Sequence, residues 1–412
     1  MQPQRLIHFF FFILTMTSFI ACSNPTPATQ DEGDDGVTAG EGDLDTITRD
    51  AGQLDQQSMR DQGPATQHDQ DTGDASHGGG ASISPQEVFA SFSTLETIAG
   101  TARIEDKGVN GWQSSFEGGP ATSAELSRPH IAQAHRSGNI YIADKDAHSV
   151  RKVSPQGVIT TFAGTNAAQR PPVVDEPVKA TETPLNSPNG LWVSPSKEIV
   201  YILDLGNDRV VRVDEQGMLT TLFSIGGAGA GRGLWVAEDE SLAYVSAGTQ
   251  LKKWTPQGGV ETLASGFVSL GNLHVSKDGR LAITDRDGSM AYLIDAEGKK
   301  THIAGSGSGN DAASGMDARD AGLDEVRGIW FHPQGGYFLA THKGGQIWYV
   351  DIDNKLHLLI DGDKGSAHSG DGEAFDTPGK KISEPRAVTM TPRGELLITE
   401  HDGGYIRRLN VK

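Results

Sequence analysis

Residues 118–164 read GGPATSAELSRPHIAQAHRSGNIYIADKDAHSVRKVSPQGVITTFAG, and worn copies of the second half of this stretch recur to the C-terminus. Aligned on the strand IYIAD, which ends at Asp144, the copies are VYILD ending at Asp204, AYVSA at Ala247, LAITD at Asp285, FLAT at Thr341 and LLITE at Glu400. The steps are roughly 60, 43, 38, 56 and 59 residues, the repeat scale of propeller blades. Six copies predict six blades.

Each copy carries the same succession of short runs. A first strand follows Pro or Arg: IAQA from Ile131, GLWV from Gly190 and again from Gly233, NLHV from Asn272, GIWF from Gly328 and AVTM from Ala387. A turn such as Ser137-Gly138 leads to the second strand, and a tight polar turn to a third: SVRKV, RVVRV, QLKKW, SMAYLI, QIWYV and YIRRL. Turns such as Pro155-Gln156-Gly157 precede an outer strand, VITTFAG or MLTTLF. Alternating runs rich in Val, Ile, Tyr and Thr between Gly and Asp turns are strands and hairpins. Four strands per repeat make a blade, so the fold class is an all-β, six-bladed propeller. The sixth copy reaches Lys412 after its third strand. LETIAG, residues 95–100, has the outer-strand pattern, so this N-terminal strand is expected to complete the last blade and close the ring. Closure removes exposed sheet edges.

These residues resemble the NHL repeat, in particular its bacterial and teneurin-type form with GDGGPAT, lYiAD, hrirKv and iTTvAG elements. The first copy matches through GGPATSAEL, IYIAD, VRKV and VITTFAG, and later copies keep SPNGLWV, RVVRV and HSGDGEAF. The resemblance spans residues 94 to 412. It implies the propeller fold and a platform for binding, while a few relatives are metal-dependent enzymes.

The chain has 412 residues, a formal net charge of -19 and one cysteine. Arg5 precedes an apolar run from Phe9 to Ala21, too short to span a bilayer and suited to a signal peptide covering residues 1–21. The run ends Phe19-Ile20-Ala21-Cys22, which resembles a bacterial lipobox, so Cys22 is the expected lipid attachment site. No disulfide can form within the chain. Residues 22–90 carry fourteen carboxylates against Arg49 and Arg60 and almost no aromatic residue before Phe89. Such a segment cannot offset its ordering entropy by burial, and reads as a disordered acidic linker about 45 Å end to end. The propeller domain is then residues 91–412. Lipidation places the protein at the bacterial cell envelope. Ser23 lacks the Asp that retains some lipoproteins at the inner membrane, which favours the outer one.

Approach loops and the turns between second and third strands share one face, where rigid scaffolds concentrate function. Loops 101–127, 165–186, 305–325 and 361–384 are long, and 224–231 and 265–270 are short. The first residues of the inner strands read His130, Asn189, Arg232, Gly271, Arg327 and Arg386. His130, Asn189, Arg232, Arg327 and Arg386 are the candidate ligand-binding residues, because arginine forks suit carboxylates and phosphates. The bland alternative pairs each arginine with Asp144, Asp204, Asp285 or Glu400. Trp192, Trp235 and Trp330 share one column with Gln133, His274 and Thr389, which reads as packing between adjacent blades. His342 and His401 take equivalent positions, with His148 and His368 on the same face, but arginines oppose a metal cage. The expectation is a monomeric, non-catalytic binding module for a protein or anionic polymer, without cofactor, metal or nucleic-acid partner. An envelope hydrolase or lyase working at the channel mouth is the alternative.

Overall fold

The computed structural model describes residues 83–103, 108–171, 174–365, 368–400 and 404–412. The expected signal segment, Cys22 and the linker as far as residue 82 lie outside the described residues. Among the described residues no helix is long and apolar enough to cross a membrane.

Six antiparallel four-stranded sheets follow one another, each running from an inner to an outer strand. The first blade is Pro129–Ala134, Ile140–Asp144, Ser149–Val153 and Ile159–Ala163. The inner strands of the other five begin at Pro188, Leu234, Leu270, Val326 and Pro385. The second blade gains a two-residue fifth strand, Val178–Lys179, from its approach loop. The sixth blade takes Pro385–Met390, Leu396–Glu400 and Tyr405–Val411 from the end of the chain and Phe92–Ala99 as its outer strand. That closing strand sets Leu95 opposite Leu409 and Thr97 opposite Arg407.

The sequence boundary at residue 90 falls inside a short helix, Pro85–Ser91. Ser84 and Glu87 form a reciprocal capping box at its start, which satisfies two otherwise orphaned N–H groups. Val88 is buried and Phe89 packs edge-on against Tyr349 and Phe375, so the folded domain begins before residue 91.

The core is six slabs, one per blade interface. Ile131, Tyr141 and Val150 of the first blade meet Leu191, Val200 and Val211 of the second. The seam between sixth and first blades joins Ala99, Leu397 and Ile406 to Ala132, Ile140 and Ile142. The recurring Ala-Gly at the end of an outer strand has a steric cause. Gly164 has φ +94° and a Cβ there would lie 2.4 Å from the His148 carbonyl; Gly100 and Gly305 repeat the arrangement.

Second-strand acids anchor the approach loops. Asp144 accepts from the backbone N–H of Ser127, Asp204 from Asn186, Glu400 from Ser383, and Asp285 from Val268 and Ser269. Third-strand arginines complete three of these sites: Arg151 to Asp144 at 3.1 Å, Arg209 to Asp204 at 2.9 Å and Arg407 to Glu400 at 3.1 Å. The four acids therefore fasten the loops to the blades, and three of them are occupied from the third strand, a different arrangement from the pairing with inner-strand arginines considered above.

Candidate functional site at the channel mouth

The inner strands share an irregularity at their mouth end. Pro129 pairs with Asp144 and Ile131 with Ala143, leaving His130 opposite no partner. The same break leaves Asn189, Arg327 and Arg386 outside the ladder, and in the fourth blade it spans Gly271 and Asn272. A bulge inserts an extra residue and re-aims its side chain. Just before it, Arg128, Ser187, Glu325 and Glu384 take positive φ, between 44° and 58°. The chain is thus bent at every one of these four crossings.

The bulged residues converge with Arg232, which stands just before the third blade's inner strand. Arg232 Nη1 lies 3.1 Å from His130 Nδ1, a contact between third and first blades that bypasses the second and places both side chains at the axis. Arginine only donates, so Nδ1 accepts and the His130 proton sits on Nε2. Asn189 Nδ2 donates to the Gly231 carbonyl at 2.7 Å. Arg327 Nη2 donates to Glu325 Oε2 at 2.8 Å, and His342 Nδ1 to the Glu384 carbonyl at 2.9 Å. Asn272 Nδ2 donates to the Arg386 carbonyl at 3.2 Å. All five candidate residues are buried. Gly271, the sixth position, has no room for a side chain: a Cβ would lie 2.2 Å from Thr284 Oγ1 and 2.8 Å from the Arg327 carbonyl.

The electrostatics record the crowding of cations. Burial, followed by Arg386, Arg232, Lys145 and Arg128, pushes the His130 imidazole well below its ordinary range. Burial, then Arg327 and Arg386, does the same to His342, against the opposing hydrogen bond to Glu384. Both imidazoles are neutral at pH 7, which removes two charges from a place already rich in them. Arg327 Nε and Nη1 and Asn189 Oδ1 are buried without a hydrogen-bond partner. Among the described residues, no three of His, Cys, Asp and Glu stand together as a metal cage.

Three residues further along the inner strands the channel is filled. His274 stacks on Trp330 at 3.8 Å, and Trp192 lies 6.1 Å from each of these rings and 6.2 Å from Trp235. Trp192 belongs to the second blade and Trp330 to the fifth, so these rings meet across the axis as well as between neighbours. The sequence reading expected contacts between adjacent blades only; the narrow bore of six blades brings opposite walls within aromatic contact. His274 is an interior residue, its Nδ1 accepting from the Phe331 backbone N–H at 3.1 Å.

Sequence reasoning did not single out Glu325 or Glu384. The signal was one column away: each stands two positions before a ring arginine, where Arg128 stands two before His130. His342 was noted, and lies at the mouth beside Glu325; His401 falls outside the described residues. His148 accepts from the Ser187 backbone N–H, and His368 lies against Glu400 at 2.8 Å.

The architecture is thus a closed six-bladed propeller whose mouth is lined by buried cations and whose bore is blocked by aromatic rings. The family model described as the Teneurin NHL domain matches residues 109–321, and the chain belongs to that family. It is 24% identical over 239 residues to Teneurin-3 of Danio rerio, which covers 54% of this chain and 8% of that protein. With Teneurin-1 of Homo sapiens it shares 33% over 101 residues, 24% of this chain and 4% of that protein. The chain thus spans less than a tenth of the length of these relatives. Among solved structures, a protein of unknown function from Bacteroides thetaiotaomicron superposes with a TM-score of 0.62 at 17% identity, covering 78% of this chain and 76% of that one. An auxiliary nutrient binding protein from the same organism gives 0.55 at 10%, with 77% and 76% covered. A gluconolactonase from Xanthomonas campestris gives 0.51 at 14%, with 80% and 94% covered. At these identities the structural likenesses establish the fold alone.

Proposed function

We propose that this propeller is a non-catalytic binding module that engages an anionic group, on a polymer or a protein, at its loop face. The observation that carries the reading is Arg327. It is 3% exposed, yet two of its guanidinium nitrogens, Nε and Nη1, have no acceptor. A buried donor left unsatisfied costs about 1–3 kcal/mol, more when charged, and an incoming carboxylate or phosphate oxygen would relieve that cost. Arg232 and Arg386, close enough to depress the neighbouring imidazoles, add to the attraction for an anion. The envelope location and lipid anchor at Cys22 belong to the same reading, supported by the apolar run and lipobox-like sequence before it. Mass spectrometry of the protein from a bacterial host, with and without Cys22→Ala, tests the anchor.

The function is tested by binding of the soluble chain to sodium polygalacturonate and to polyphosphate at low and high salt. Binding to at least one, weakened by salt and about tenfold weaker in Arg327→Gln, is expected for a charged hydrogen bond lost. No measurable binding by folded wild-type protein to either polymer, or equal binding by the variant, sinks the anion assignment. Turnover of a lactone or ester by the purified chain would favour the enzymatic alternative.

A further inference from the structure

The first and sixth blades share a local arrangement around a buried third-strand arginine. In the first blade the guanidinium of Arg151 is fully buried and lies 3.6 Å from the ring centroid of Trp112. Arg151 sits opposite Thr161, whose N–H and hydroxyl both donate to the Glu117 carboxylate, at 2.7 and 2.9 Å. In the sixth blade Arg407 takes the place of Arg151, opposite Thr97. The N–H and hydroxyl of Thr97 donate to Asp371 at 2.8 and 3.1 Å, so Asp371 stands for Glu117. Arg407 is 1% exposed and donates to Glu400 and Asp371. The ring has no counterpart by sequence spacing: Trp112 precedes Glu117 by the same five positions by which Ser366 precedes Asp371.

Beside Arg407 in blade six lies a cleft of about 390 Å³. Arg407, Asp371, His368, Tyr405, Thr101 and Thr122 line it. That volume lies in the range of small-molecule sites. His368 and Tyr405 meet edge to face at 4.4 Å and supply an aromatic wall. The Asp371 side chain is 58% exposed, so its carboxylate can take further donors, and Arg407 Nε is buried with no acceptor. Cation, aromatic wall and open acceptor together describe a place for a flat ring with a polar edge.

We propose that the cleft between the sixth and first blades binds an aromatic ring bearing a hydrogen-bond donor, of indole size, seated beside the Arg407 guanidinium as Trp112 is seated on that of Arg151. The site is separate from the channel mouth, and its occupancy does not depend on an anion. Free indole and an aromatic side chain of a protein share this chemistry.

Saturation-transfer NMR on the folded full chain tests it, with indole, the peptide Gly-Gly-Trp-Gly-Gly and the leucine analogue of that peptide as probes. Saturation of the indole protons, with no transfer to leucine, is the expected result. Tighter binding of the peptide identifies a protein side chain as the source, and tighter binding of free indole a small aryl ligand. Thr122→Trp, at an exposed position on the rim, places the chain's own ring in the cleft and should abolish the signal. Asp371→Asn should weaken it about tenfold, the size of one desolvated polar contact. Arg327→Gln, at the channel mouth, should leave indole binding unchanged, so a failure of the anion site and a failure of this cleft are read separately. Equal transfer to leucine and indole, or an undiminished signal in a folded Thr122→Trp variant, overturns the proposal.

Discussion

Replacing His274 by glutamine isolates one buried proton-binding site and its effect on stability. The imidazole is 8% exposed, stacks on Trp330 and accepts a hydrogen bond from Phe331, and burial pushes it down to about 3. In the unfolded chain it titrates near 6.5. The folded-state value is the depressed one, so the stabilisation is present in full above about pH 6.5 and is lost as pH falls toward 3. Each unit below the unfolded value removes about 1.4 kcal/mol, so the step from pH 7 to pH 5 removes about 2 kcal/mol through this residue alone. The first blade supplies the replacement. Gln133 occupies the same column, its Oε1 accepting from Val193 at 3.0 Å and its Nε2 donating to Leu191 at 2.9 Å. A glutamine at 274 can accept from Phe331 without titrating. At pH 7 the variant should lose about 1 kcal/mol with the ring stacking. Urea unfolding at pH 7 and pH 5 reads both terms, and His130 and His342 cancel in the comparison between proteins. The wild type should lose about 2 kcal/mol more than the variant over this interval. Equal losses, or an imidazole C2 proton of His274 that titrates above pH 5 in the folded protein, would refute the reasoning.

Three other changes probe the scaffold. Gly271→Ala drives a methyl into Thr284 and the Arg327 carbonyl and should cost about 1–3 kcal/mol by thermal or urea denaturation. Leu95→Ala, at a fully buried position of the closing strand, should cost about 2–5 kcal/mol and loosen amide-exchange protection across 405–411 first. Trp112→Ala uncovers the Arg151 guanidinium and should cost about 2 kcal/mol, while Trp112→Phe keeps a ring and should recover part of it. A loss below about 0.5 kcal/mol in any of the three alanine variants would contradict the contacts described.

The blade count, the strand order and the seam were legible because each rests on local sequence: alternating strands, Gly turns, and an outer-strand pattern at residues 95–100 answering a three-strand last copy. The approximate place of His130, Asn189, Arg232, Arg327 and Arg386 followed from alignment of the inner strands. Their partners did not. A bulge at His130 and its equivalents cannot be read from alternation, yet it decides where these side chains go. The carboxylates of Asp144, Asp204 and Glu400 are met by Arg151, Arg209 and Arg407, which alignment of the inner strands does not point to because they approach from the third strand, where facing depends on register. Contacts across the bore, such as Trp192 with Trp330, depend on the radius of the closed ring, a quantity no single repeat contains. The cleft beside Arg407 is lined by residues from 97 to 407, a grouping that only the closed ring creates.

The seam has a consequence for how the domain is carried. Inner strands start at the mouth, and successive strands reverse, so the closing strand begins at Phe92 on the far face and ends at Ala99 on the mouth side. The last residue, Lys412, donates its N–H to the Ser91 carbonyl at 2.9 Å. Incoming and outgoing chain therefore lie side by side, on the side turned away from the loops. Such an arrangement is that of a plug-in cassette: the domain can hang from a leash or be spliced into a longer polypeptide without covering its loop face. Tension between the two ends would peel the closing strand one hydrogen bond at a time, so the ring opens where its two ends meet.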